Sequence, residues 1–217
     1  MSLALFDLDN TLIGGDSDYL WGEYLCEIGA VDVEYYQQKN KYFYDQYCLG
    51  KLDIHAYSEF SMEPLSRYTM DELNVFHQQF MQDKIEPLFL PEAERVVNSH
   101  RDKGDTLVVI TASNSFVTAP IVKYFGIEIL IATELETVSD RYTGKVLGLP
   151  SYKHGKVERL KSWLEQSNES LDNSAFYSDS HNDIPLLNLV SRPVAVNPDY
   201  QLMKVAKENG WDILDWR

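Results

Sequence analysis

The chain opens on a short, mostly apolar run, Ser2 to Leu8, which breaks at Asp9-Asn10-Thr11 and Gly14-Gly15. Such a run suits a strand buried on both faces. Between residues 17 and 88 the pattern changes. Aromatics crowd in, and apolar positions recur at helical spacing, as in Leu20/Tyr24 and Trp21/Leu25/Ile28, with Gly29 placed to end the helix. Further helices are expected over 32–48, 53–61 and 70–84, the last opened by the capping box Thr69-x-x-Glu72. The tyrosines of this stretch read either as helix packing or as a stacking surface for a ligand.

Strands and helices then alternate. Residues 91–103 read as a helix with Pro91 at its start and Gly104 after it. A buried-type strand follows at 106–110, then an amphipathic helix at 115–125, a strand at 127–132 and a helix at 155–166. A short strand at 175–177, a helical turn or two at 183–190 and a last strand at 193–196 complete the alternation. The tail helix, 200–209, is expected to dock Trp211 and Trp216. This order implies an α/β fold: a Rossmann-like, doubly wound parallel sheet. The helical stretch interrupts it after the first strand. We therefore expect residues 1–14 and 89–217 to form the α/β core, and 15–88 a helical cap domain.

Length and charge narrow the picture. A chain of 217 residues accommodates such a core with an insert. Asp and Glu total 34 against 19 Lys and Arg, a formal charge of −15, and no basic run offsets it. Nucleic acid and anionic membrane are thereby disfavoured as partners. A phosphate substrate would need positive charge supplied locally. Cys26 and Cys48 match no metal or redox spacing and read as two buried thiols in a reducing compartment. With no basic leader and no 18-residue apolar stretch, a cytoplasmic location is expected.

Ligands of parallel α/β sheets bind at the carboxyl ends of strands. Polar clusters fall at such ends in this chain. Asp7 and Asp9 end the first strand, Thr111-Ala112-Ser113 follow the 106–110 strand, and Asp179 and Asp183 follow the 175–177 strand. Lys156 opens the helix before that last strand. Each has a plainer reading: an Asx turn, a helix N-cap, a solvated lysine, a polar loop. Together they form an oxygen-rich set, Asp7, Asp9, Asp179 and Asp183, suited to Mg²⁺. The set itself contains no His or Cys, which argues against zinc. A carboxylate attacking phosphorus would give an acyl phosphate. Lys156 would supply a cation, Thr111 a donor, and Asp9 a second carboxyl for acid–base work.

These segments resemble the motifs of the haloacid-dehalogenase-like hydrolase superfamily, over essentially the whole chain. Asp7-Leu8-Asp9-Asn10-Thr11 is similar to its first motif and Ile110-Thr111-Ala112-Ser113 to its second. Lys156 stands for the third, and Asp179-Ser180-His181-Asn182-Asp183 for the fourth. The resemblance implies Asp7 as nucleophile and Asp9 as acid/base. It implies Mg²⁺ held by Asp7, the Asp9 carbonyl and Asp179, with Asp183 in support, and Thr111, Ala112, Ser113 and Asn182 on the substrate. The helical insert, Gly144-Lys145-Val146 and Asn182-Asp183 resemble the phosphoserine-phosphatase-like subgroup. That subgroup's phosphoserine enzymes carry a Glu nine residues past the nucleophile and a cap arginine. Here Asp16 occupies the first position, and the cap offers Arg67 at an unmatched place.

The cluster Asp16-Ser17-Asp18-Tyr19-Leu20-Trp21 instead suits a cationic or aromatic leaving group. Asp16, Asp18 and Trp21 are the expected substrate contacts in the cap. The plainer alternative is that Asp16 and Asp18 cap a helix whose core holds Trp21. The expected activity is Mg²⁺-dependent hydrolysis of a small-molecule phosphate monoester, with histidinol phosphate as a candidate. The alternatives are phosphoserine hydrolysis, or phosphoryl transfer to another acceptor as in a phosphotransferase or phosphomutase.

Overall fold

A computed structural model describes residues 2–167 and 169–217. Strand β1 (Leu3–Phe6) is followed by four helices, α1 (Ser17–Glu27), α2 (Val33–Cys48), α3 (Ile54–Met62) and α4 (Met70–Phe80). Aspartates open the first three: the side chains of Asp16, Asp32 and Asp53 accept first-turn N–H groups. Thr69 and Glu72 form the reciprocal capping box of α4. The helix expected to 84 changes character after Phe80, where a π-helical turn runs to Ile85. Then come α5 (Pro91–Asp102), β2 (Thr106–Asn114), α6 (Ser115–Tyr124), β3 (Ile129–Thr133), β4 (Leu135–Val138), β5 (Arg141–Val146), α7 (His154–Ser167), β6 (Ala175–Ser178), α8 (Ile184–Leu187), β7 (Arg192–Val196), α9 (Tyr200–Asn209) and β8 (Asp212–Leu214).

Six strands form a sheet in the order β3-β2-β1-β6-β7-β8, every neighbouring pair parallel. Chain order reverses between β1 and β6. There the Asp7 N–H continues the ladder to the Tyr177 carbonyl at 2.9 Å. A crevice opens at that reversal, above the carboxyl ends. Alternate residues of β1 and β2 feed opposite cores. Leu3, Leu5, Val108 and Ile110 pack with Val157, Leu160, Leu187 and Leu202. Ala4, Phe6 and Val109 pack with Ala93, Val97, Val117 and Ile121, in a core that runs on into Trp21, Leu25, Leu73 and Phe80. The sheet and the inserted helices thus share apolar packing.

Three sequence expectations are corrected and one element is added. Strand β2 runs on through Thr111–Ser113, and its register with β3 shifts between Ile110 and Asn114. Irregularities of this kind re-aim side chains at a strand end. The antiparallel hairpin β4–β5 was not expected. Its turn residues Ser139 and Asp140 both take positive φ without an Asn-Gly signal. The 193–196 strand is not the last, because the three residues of β8 add an edge. Cys26 is buried but Cys48 is exposed, so only one thiol fits the buried reading. In the tail, Trp216 is buried near Tyr177, while Trp211 only partly covers the other core. No described helix is long and apolar enough to cross a membrane.

Candidate active site

Asp7 sits at the mouth of the crevice because β1 ends one residue before it. It is only 3% exposed. Lys156, 2% exposed at the start of α7, donates to Asp7 Oδ1 at 2.9 Å and to Asp183 Oδ2 at 2.8 Å. Asp183 Oδ2 also accepts from Ser178 Oγ at 2.7 Å. The approach of α7 depends on Gly155: a Cβ there would lie 2.1 Å from the Pro150 carbonyl. Asp179 has no ion pair among the described residues; its Oδ1 accepts from Thr11 Oγ1 at 3.5 Å.

The electrostatics follow from one ammonium facing several buried carboxyls. Burial drives the Asp7 carboxyl above its usual range, Lys156 opposes this, and Asp9 adds to it. Asp179 is driven well above by burial, then by Asp7 and Asp183. Asp183 is pushed up to about 6 by burial, with Lys156 pulling the other way. Burial works against the charged form of Lys156, yet Asp183 and Asp7 together hold it above its ordinary value. The inner site is therefore short of positive charge.

That shortage, and an all-oxygen donor set, fit a hard divalent ion. Among the described residues no three acidic, His or Cys side chains converge as a cage. The expected set needs none, since it uses two carboxylates, Asp7 and Asp179, with one backbone carbonyl. Magnesium usually keeps several waters and substrate oxygens as its other ligands.

Asp9 is oriented from two sides. Its Oδ1 accepts the Ser17 N–H at 2.7 Å and its Oδ2 the Ser113 hydroxyl at 2.6 Å. Ser17 is the first residue of α1, so this carboxylate also satisfies an orphan N–H at a positive helix end. Thr111 accepts the Ser113 N–H at 3.1 Å, which leaves its own O–H free to donate.

Above these groups lies a narrow cavity of about 50 Å³, partly open to solvent. Its floor is Asp7, Asp9, Asn10 and Thr111–Ser113. Its wall is Asp16, Asp18, Tyr19, Asn40, Phe43, Tyr44, Tyr47, Leu52, Ile54 and Tyr57. Among the described residues no Lys, Arg or His lines it. Asp16 is pushed up to about 7 by burial and by Asp9. Asp18 stands well above its usual value through burial, Asp9 and Asp16.

Two expected substrate contacts are not brought to this cavity. Trp21 is 2% exposed and packs against His77, Phe80 and Phe116, because it faces the core side of α1. Asn182 spends its amide on structure: Oδ1 accepts from Tyr152 Oη at 3.1 Å, and Nδ2 donates to the Tyr47 carbonyl at 3.2 Å. Together with Lys153 Nζ on the Gly50 carbonyl at 2.6 Å, it ties the end of α2 to the core. Arg67 pairs with Glu63 on the surface. Asn40, Tyr44, Tyr47 and Tyr57 were not singled out as contacts; only the aromatic crowding hinted at the tyrosines.

The haloacid dehalogenase-like hydrolase family matches residues 4–188. This chain belongs to that family. Within the haloacid dehalogenase-like hydrolases it falls in the phosphoserine-phosphatase-like subgroup and is a phosphatase, a phosphoric monoester hydrolase acting on a small phosphate ester. It is 48% identical over 220 residues to the histidinol-phosphatase of Neisseria meningitidis serogroup C (strain 8013), covering 100% of this chain and 99% of that one. A solved structure of a Bordetella pertussis Tohama I protein of unknown function superposes with a TM-score of 0.93 at 42% identity, over 100% of this chain and 99% of the other. A substrate-bound phosphoserine phosphatase superposes with a TM-score of 0.72 at 17% identity, covering 100% and 93%, and shares the fold. The family typically uses Mg²⁺.

Proposed function

We propose that this phosphatase hydrolyses the phosphate ester of a small amino alcohol, histidinol phosphate, through an aspartyl-phosphate on Asp7. The observation that carries the substrate reading is the wall of the cavity. It offers carboxylates and aromatic faces and, among the described residues, no cation to receive a carboxylate. Histidinol phosphate has an ammonium and an imidazole and no carboxylate. The full-length likeness to a protein named histidinol-phosphatase supports the same reading. Residues 15–88 act as the cap over the core, and Asp16 and Asp18 face the leaving group from it.

The chemistry follows from the donors and acceptors in place. Lys156 holds Asp7 Oδ1, which leaves Oδ2 to attack phosphorus. The phosphorus–oxygen bond to the alcohol breaks as the Asp7–phosphorus bond forms. Asp9 in its acid form gives its proton to the departing oxygen, then takes one from the water that attacks phosphorus, as the Asp7–phosphorus bond breaks, phosphate leaves and the Asp7 carboxylate is restored. The Thr111 hydroxyl donates to a phosphoryl oxygen. Lys156 and Asp183 keep the nucleophile oriented. Mg²⁺, held by Asp7, the Asp9 carbonyl and Asp179, would neutralise charge on the phosphoryl oxygens.

A panel of phosphate esters, assayed for phosphate release with and without Mg²⁺, tests this. Histidinol phosphate should be turned over far faster than phosphoserine, and Asp7→Asn should abolish release. Faster turnover of phosphoserine would refute the substrate reading.

A further inference from the structure

Asn40 has no part in the chemistry above, yet it is buried at the cavity wall. It is 5% exposed and comes from the middle of α2. Its Nδ2 donates to the Tyr19 carbonyl at 2.9 Å. That bond fixes which end of the amide is which. The Oδ1 therefore remains an acceptor, and no described residue donates to it. Gly22 makes room for it: a Cβ there would lie 2.7 Å from Asn40 Nδ2 and 3.0 Å from Oδ1. Gly in mid-helix costs about 1 kcal/mol relative to Ala. Helix α1 carries that cost where α2 brings Asn40 against it.

Asp18 lies in the same wall, 8% exposed and without an ion pair among the described residues. Two neutral donors hold it. Asn114 Nδ2 reaches Oδ1 at 2.8 Å, and Tyr57 Oη reaches Oδ2 at 3.3 Å. Asn114 is itself fixed, because its Oδ1 accepts the Val117 N–H at 3.0 Å as the cap of α6. The carboxylate is thus pinned from the core by Asn114 and from α3 by Tyr57. Each of its oxygens keeps acceptor capacity. Phe43, Tyr44 and Tyr57 supply apolar faces beside it.

We propose that Asn40, acting with an Asp18 pinned by Asn114 and Tyr57, selects the alcohol half of the substrate by its protonated amine. This rests on the reading under Proposed function and adds the residues that discriminate. An ammonium has three N–H donors, and here it meets the Asn40 carbonyl and the Asp18 carboxylate, with Asp16 beside them. A carboxylate in the same place finds no cation among the described lining residues, so phosphoserine lacks the partner that the ammonium finds. Asn114 and Tyr57 are positioning residues.

The test compares two esters that differ only in the amine, histidinol phosphate and its desamino counterpart. Within each variant the ratio of their kcat/KM values is read, so a loss common to both esters cancels. The wild type should favour the aminated ester by about 100-fold, the effect of one or two charge-assisted hydrogen bonds. Asn40→Leu and Gly22→Ala should each lower the ratio about 10-fold. Asn40→Asp should retain the preference, because it keeps an acceptor. Asp18→Asn should lower the ratio furthest. A wild type that favours the amine, with a ratio unmoved by Asn40→Leu and Asp18→Asn, would overturn the clamp and leave the proposed substrate standing. A wild type that hydrolyses both esters equally would also overturn it. Turnover of neither ester would overturn both readings.

Discussion

Replacing Asp16 with Asn should make the metal-free protein more stable at alkaline pH and a poorer enzyme. Asp16 is an N-cap whose Oδ1 accepts the Tyr19 N–H at 2.8 Å, and Asn caps equally well. The change therefore removes a charge and little else. Burial and Asp9 push the carboxyl from an ordinary 3.8 up to about 7. The folded chain thus holds this proton more tightly than the unfolded one. Stability from that source is full below pH 3.8, drains as pH rises, and is gone above about 7. At pH 8 the gap amounts to about 4 kcal/mol, at about 1.4 kcal/mol per pH unit. Water reaches this half-buried group through the cavity, so about 2 kcal/mol is the expected gain. Urea denaturation in EDTA at pH 4 and pH 8 measures it. Asp16→Asn should match the wild type at pH 4 and exceed it at pH 8. An equal difference at both pH values, or a loss at pH 8, would refute the argument. The same variant should lose kcat/KM on the aminated ester, as expected where a site holds unfavourable charge for its ligand.

Three further outcomes follow from the geometry. Lys156→Met leaves Asp7 and Asp183 buried without their ammonium; turnover should fall about 10²–10³-fold and stability at pH 7 by about 3–5 kcal/mol, by steady-state kinetics and denaturant titration. Gly155→Ala forces a Cβ onto the Pro150 carbonyl and shifts the start of α7, so kcat should fall more than KM rises. Trp21→Ala should cost about 3–5 kcal/mol of stability and leave KM for the ester little changed, because the indole lies in the core.

The parts of the site legible in the sequence share one property: they sit where an apolar run stops. Asp7, Thr111, Asp179 and Lys156 each mark such a stop or the helix beside it, and the parallel sheet brings those ends together. The cap was harder to read. Asp18 and Trp21 are three apart on one helix, yet one faces the cavity and the other the core, and that rotation is set by Phe80 and Phe116 from elsewhere. Asn40 carries no pattern at all; its place depends on a glycine one helix away. Asn182 belongs to a recognisable motif, but Tyr47 and Tyr152 occupy its amide. The β4–β5 hairpin turns on Ser139-Asp140, which lack the glycine that usually announces such a turn.

The loop from Asp179 to Asp183 does several jobs within five residues. Asp183 holds Lys156, Asn182 and Ser180 reach Tyr47, and the His181 N–H and ring meet Asp199 at the head of α9. A shift of this loop moves the Lys156 pair, the end of α2 and the head of α9 together. The wall of the cavity is built differently, from Asn40, Tyr44, Ile54 and Tyr57 on two helices that carry none of the reacting groups. Relatives descended from a common ancestor can therefore drift towards new alcohols through α2 and α3 while that loop stays fixed. A library built to redirect this enzyme should randomise positions 40, 44, 54 and 57 and leave 179–183 alone.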